Sequence, residues 1–174
     1  MKRVSNMFEI EIDDTYQKGL MDEEDINLSE AIFSAYPISS GCFYINWNGV
    51  HISLTLNSLS EIIDDIIKML DGIISGFNFE CNFLCESFTV LLDVKIDKKN
   101  IEIFSKWISI NTDELFNLNS SKSVLLVNKY KYIYEWNKLL SVINNDLKSV
   151  GYHFLFLDKK LSFYNQFLQQ EDNI

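Results

Sequence analysis

The dipeptide Asn48-Gly49 separates two runs, residues 42–47 and 50–56, in which apolar and polar side chains alternate. Both residues tolerate positive φ, which a two-residue type I′ turn requires at its central positions, so the pair commits the chain to an antiparallel hairpin. Val50, Ile52, Leu54 and Leu56 then face a core, while His51, Ser53, Thr55 and Asn57 face away. From Ser58 the period becomes helical: Leu59, Ile62, Ile63, Ile66, Ile67, Leu70, Ile73 and Ile74 fall on one stripe. Ser58 and Glu61 stand at capping-box spacing, and Gly76 offers a left-handed stop. A hairpin that runs straight into an amphipathic helix confines the chain to mixed structure.

The flanking sequence extends that reading. Residues 8–13 alternate apolar with acidic side chains, the pattern of a strand with one buried and one wet face. Residues 16–25 read as a polar loop, and 28–36 as a short helix stopped by Pro37 and Gly41. Residues 77–84, 87–97 and 101–110 form an expected meander of strands, with Asp97-Lys98-Lys99-Asn100 as a turn. After a polar loop over 111–121, residues 124–127 add a strand and 129–150 a second amphipathic helix ending at Gly151. Residues 152–157 read as an edge strand, and 161–168 as a terminal helix before a polar tail, 169–174. No linker or repeat divides residues 1–174, so the expected fold is one α+β domain: a single antiparallel sheet of about six strands packed against two main amphipathic helices.

Composition narrows the setting. A chain of 174 residues, 47% hydrophobic, is large enough to bury roughly 70% of its unfolded surface without staples. No apolar run reaches the roughly 18 residues of a membrane span, and Met1-Lys2-Arg3 leads into Glu9, Glu11 and Asp13 rather than an apolar signal segment. Cys42, Cys81 and Cys85 form neither a CxxC motif nor half of a zinc site, which suits reduced thiols in the cytoplasm.

Catalytic chemistry finds little to build on. A nucleophile needs a base, and His51 and His153 are the histidines available, neither at a telling spacing from a cysteine. Asp64-Asp65 lies on an expected solvent face rather than in a cleft, and the chain has no GxxxxGK or GxGxxG phosphate loop. No catalytic residue, metal ligand or cofactor is therefore expected.

Charge gives the positive signal. The net charge is −10, which repels nucleic acid and anionic membranes and attracts a basic protein. Much of the excess sits in Glu9, Glu11, Asp13, Asp14, Asp22, Glu23, Glu24 and Asp25, opposed within that stretch by Lys18 alone. The last four lack the alternation and glycine of a calcium loop. Together with Glu61, Asp64, Asp65 and Asp71 on the first long helix, these acids form the expected partner-binding set, with an aromatic such as Tyr16 holding the complex once formed.

The run Trp47-Asn48-Gly49-Val50-His51-Ile52-Ser53-Leu54, followed by Ile62-Ile63-Asp64-Asp65-Ile66-Ile67, a meander, and Tyr134-Glu135-Trp136-Asn137-Lys138-Leu139-Leu140, resembles small immunity proteins of bacterial polymorphic-toxin and contact-dependent growth inhibition systems. The resemblance covers residues 42–150 and implies a protein that binds one cognate toxin, commonly a basic nuclease, and blocks it. Two other readings accompany it. A small adaptor or oligomeric subunit would expose some of Phe43, Tyr44, Trp47, Phe77, Phe79, Phe83, Phe88, Phe104 and Trp107 as a seam, and a cysteine-dependent hydrolase would carry a thiol of depressed pKa.

Overall fold

A computed structural model describes residues 7–13, 15–38 and 41–170. The fold is α+β, with strands β1 (Phe8–Ile12), β2 (Cys42–Trp47) and β3 (Val50–Thr55) in one antiparallel sheet. A second antiparallel sheet holds β4 (Phe79–Leu84), β5 (Phe88–Asp97), β6 (Asn100–Ile110) and β7 (Val124–Asn128) in chain order. The helices are α1 (Leu28–Ala35), α2 (Leu59–Ser75), α3 (Leu115–Asn119), α4 (Lys129–Val150) and α5 (Leu155–Leu168).

The expected single sheet is thus two sheets, and α1, α3 and α5 accompany the two main helices, α2 and α4. Helix α2 stands between β3 and β4 in the chain, and the hairpin and the meander on its two sides form separate ladders. Residues 152–157 are not an edge strand either. Their apolar run satisfies both periods, but Leu157, Leu161 and Tyr164 recur at helical spacing and all three are buried, so α5 starts at Leu155. The expected capping box is absent, since Ser58 is itself helical and makes no side-chain cap; the Glu61 carboxylate instead accepts the Glu86 amide at 2.7 Å. Within the expected loop 111–121 lies the short α3, which buries Leu118.

The hairpin forms as its dipeptide requires. Asn48 and Gly49 have φ of 50° and 85°, and Trp47 pairs with Val50 across the turn. Its tip also joins the two sheets, because the Trp47 indole donates to the Lys122 carbonyl at 3.0 Å and Asn48 Nδ2 to the Val124 carbonyl at 2.7 Å. Behind the tip, the Trp47 and Trp107 rings meet edge-on at 5.7 Å, and Trp107 meets Phe88 at 5.4 Å. One apolar cluster runs through both sheets and the helices. Helix α2 approaches β4 so closely that a Cβ on Gly72 would strike the Phe79 ring at 2.8 Å.

Helix α4 closes the free edge of β1. Phe8, Ile10 and Ile12 point inward, and the outward-facing Ile10 amide donates at 3.0 Å to the buried carboxylate of Glu135, which is also paired with Lys138 at 2.6 Å. Helix α5 is fastened to α4 by Asn137–Asn165 and Asn144–Asp158 hydrogen bonds and by the Lys148–Asp158 ion pair at 2.5 Å. It reaches α2 through Lys160 and Tyr164, both on Asp71. Among the described residues no helix is long and apolar enough to cross a membrane.

Candidate partner-binding face

The loop between β1 and α1 carries half of the expected acids, and hydrogen bonds tie down its described residues. The Tyr16 hydroxyl donates to Asp146 on α4, as does the Tyr36 hydroxyl at 2.7 Å. Lys18 Nζ reaches the other oxygen of Asp146 at 3.3 Å and Ser149 at 2.8 Å. Next along the chain, the Gly19 amide donates to the Ala35 carbonyl at 2.8 Å. Gly19 is required there, because a Cβ would collide with the Ser34 carbonyl. The hydroxyl of Tyr152, one residue beyond the α4 cap, then accepts the Asp22 amide at 2.8 Å and donates to the Asp25 carboxylate. The loop closes on α1 where Ile26 donates its amide to Glu30 and Asn27 caps the helix through the Glu30 amide.

Burial pushes the Tyr36 phenol well above the usual tyrosine range, reinforced by the hydrogen bond to Asp146, so it remains a donor. Tyr152 is raised for the same reason, by burial first and by Asp25 next. Asp13 makes a local turn in which the Thr15 hydroxyl and amide donate to its carboxylate at 2.6 and 2.9 Å, holding it below the usual carboxylate range.

Asp22, Glu23 and Glu24 stand exposed and, with Leu20, Met21 and Ser34, line one open depression. Asp25 turns inward to Tyr152, so it braces the loop rather than presenting charge. Glu9 and Glu11 are exposed on the outer face of β1, in register with Asn46 and His51 and with Tyr44 and Ser53. Asp14 lies outside the described residues, as does the tail over 171–174.

The acids expected on α2 have other neighbours. Glu61 holds the β4–β5 turn, Asp65 pairs with Lys68 at 3.5 Å, and Asp71 binds Lys160 and Tyr164 of α5, leaving Asp64 as the exposed one without such an engagement. Tyr16 is half-buried, edge-on to Tyr36 at 5.7 Å, and so serves the loop's internal bracing. Asp146, Tyr36 and Tyr152 escaped sequence reasoning because each lies more than a hundred residues from a partner. A polar residue at the end of an amphipathic helix carries no local mark of such a role.

The side chains weighed for catalysis are dispersed. His51 is exposed on β3 and His153 is exposed between α4 and α5. Burial lifts the Cys81 thiol up to about 12, with Asp65 adding to the effect, and burial also raises Cys85, the opposite of thiol activation. Among the described residues no group of three or more His, Cys, Asp or Glu side chains is placed to hold a metal ion. Comparison with protein-family models, with curated proteins and with solved structures finds no match.

Proposed function

We propose that this is a non-catalytic binding protein that recognises a basic protein through its acidic N-terminal face, acting as an immunity protein that neutralises a cognate toxin in the cytoplasm. A nuclease is the toxin class whose cationic substrate-binding surface best complements such a face. The observation that carries this reading is the loop over 19–25, in which exposed acids sit on a backbone already fastened to α1 and Tyr152. A surface ordered in advance loses less entropy on binding than a mobile acidic tail.

Charge then governs encounter. Attraction between unlike surfaces speeds association and is screened within a Debye length of about 8 Å at physiological ionic strength. The test is Asp22→Lys, Glu23→Lys and Glu24→Lys together, followed by binding kinetics against the product of the adjacent reading frame. The on-rate is expected to fall by roughly tenfold or more and to lose its salt dependence, with a smaller change in off-rate. If affinity, on-rate and salt response all survive, the loop is merely solvated and the reading fails.

An oligomeric subunit is the alternative. Of the aromatics weighed for a seam, Phe43, Trp47, Phe83, Phe88 and Trp107 are buried and Tyr44 and Phe77 are exposed, while Leu84, Leu91, Ile108 and Leu126 are exposed on the outer side of the four-stranded sheet. Sedimentation separates the two readings: neutralisation by a free subunit expects a 20.3 kDa species at micromolar concentration, and a dimer favours the alternative.

A further inference from the structure

We infer that Leu20, Ile26 and Phe33, set among the acids of this face, are its apolar anchors, and that the basic partner presents an apolar pocket ringed by Lys and Arg. The inference rests on the binding reading above and adds what holds the complex once charge has assembled it. Leu20 is 87% exposed, Ile26 86% and Phe33 56%, in a protein that encloses Phe8, Phe43 and Trp136 almost completely.

Slack does not explain that exposure. The Gly19 amide is bonded just before Leu20 and the Asp22 amide just after it. The Ile26 amide is held by Glu30 at 2.8 Å, and the Phe33 carbonyl accepts Asn57 Nδ2 at 3.1 Å from within α1. The backbone is thus held at or beside each position, and the side chains stand outward from it.

The three side chains and the acids share one surface. Leu20 and Ser34 line the same depression as Asp22, Glu23 and Glu24. Ser34 and Phe33 lie four and three residues beyond Glu30 on α1, and Ile26, just before the helix, is joined to the Glu30 carboxylate through its amide. Apolar groups interspersed with charge match the anatomy of energetic anchors inside a polar rim. Charge selects the occupant: a second copy would bring acid against acid in a chain of net charge −10, and nucleic acid is a polyanion, whereas a basic protein is complementary.

Two synthetic peptides of equal length and positive charge test this, one an amphipathic Lys/Leu helix and the other Lys/Ser, titrated into the ¹⁵N-labelled protein. The Lys/Leu peptide is expected to shift amides of residues 19–26 and of the outer side of α1, and to bind about tenfold more tightly than Lys/Ser. Replacing Leu20, Ile26 and Phe33 together by Ser should remove that advantage and leave Lys/Ser binding unchanged. Should the triple variant lose its native spectrum, Leu20→Ser and Phe33→Ser singly each take its place, with a smaller expected loss. Equal binding of both peptides, an undiminished preference in the variants, or shifts centred on the outer side of the four-stranded sheet would overturn the inference. Failure of the adjacent gene product to bind while the Lys/Leu preference persists would instead remove the toxin reading and keep the anchors.

Discussion

Removing the Asp146 carboxylate takes an acceptor from Tyr16, Lys18 and Tyr36 at once, and Tyr36 has no exposed surface through which bulk water could replace it. A buried hydroxyl left unpaired costs about 1–3 kcal/mol, more than the roughly 1 kcal/mol that a typical hydrogen bond contributes. Asp146→Ala should therefore lower unfolding free energy by about 2 kcal/mol in urea titrations and raise hydrogen exchange at Gly19. Tyr36→Phe deletes the donor together with its demand for a partner, so it should cost less. Equal losses from the two changes would mean that Asp146 acts through something other than this hydroxyl.

At the scale of elements, the contact that most needs explaining is that between α4 and β1. An edge strand offers unpaired amides to any passing strand, and here a carboxylate from a helix occupies one of them. Glu135→Ala should cost about 1–3 kcal/mol by orphaning the Ile10 amide. Glu135→Gln should cost less, because its amide oxygen still accepts although the Lys138 pair is lost. Exchange of the Ile10 amide reads this directly: it should accelerate in the Ala variant and stay near wild type in the Gln variant. Unchanged protection in both would mean that packing of α4, rather than the carboxylate, shields the edge.

For the molecule as a whole, the buried phenols set an alkaline limit. Burial first raises the pKa of Tyr36, Tyr132 and Tyr164 in the folded state, with nearby carboxylates adding at Tyr36 and Tyr164. At neutral pH these groups are protonated whether the chain is folded or not, so stability is flat. Above about pH 10 tyrosines of the unfolded chain ionise while the buried ones keep their protons, the native state binds more protons, and stability falls as pH rises. Cys81 adds the same sign from its ordinary value of 9.0 up to about 12. Urea midpoints should accordingly hold steady up to about pH 9 and drop beyond about pH 10, with phenolate absorbance at these positions appearing together with unfolding. Phenolate absorbance from all the tyrosines while the fold persists would contradict the burial.

What the sequence determined by itself was local. Asn48-Gly49 produced its hairpin because the required backbone angles belong to those two residues, and α2 and α4 end at Gly76 and Gly151 because both positions are left-handed. The outward acids Glu9, Glu11, Asp22, Glu23 and Glu24 were equally legible, since alternation and polarity already place them in water. Tertiary structure decided the rest. Whether hairpin and meander share one sheet depends on which ladders form around α2, and whether residues 155–157 are strand or helix depends on the burial of Leu157, Leu161 and Tyr164. The acids divide in the same way: Asp25, Glu61 and Asp71 are engaged within the fold, while Asp22, Glu23 and Glu24 are presented outward. A carboxylate's intrinsic chemistry is the same in either role, and what separates the two is the nearness of Tyr152, of the Glu86 amide or of Lys160, side by side in space and far apart along the chain.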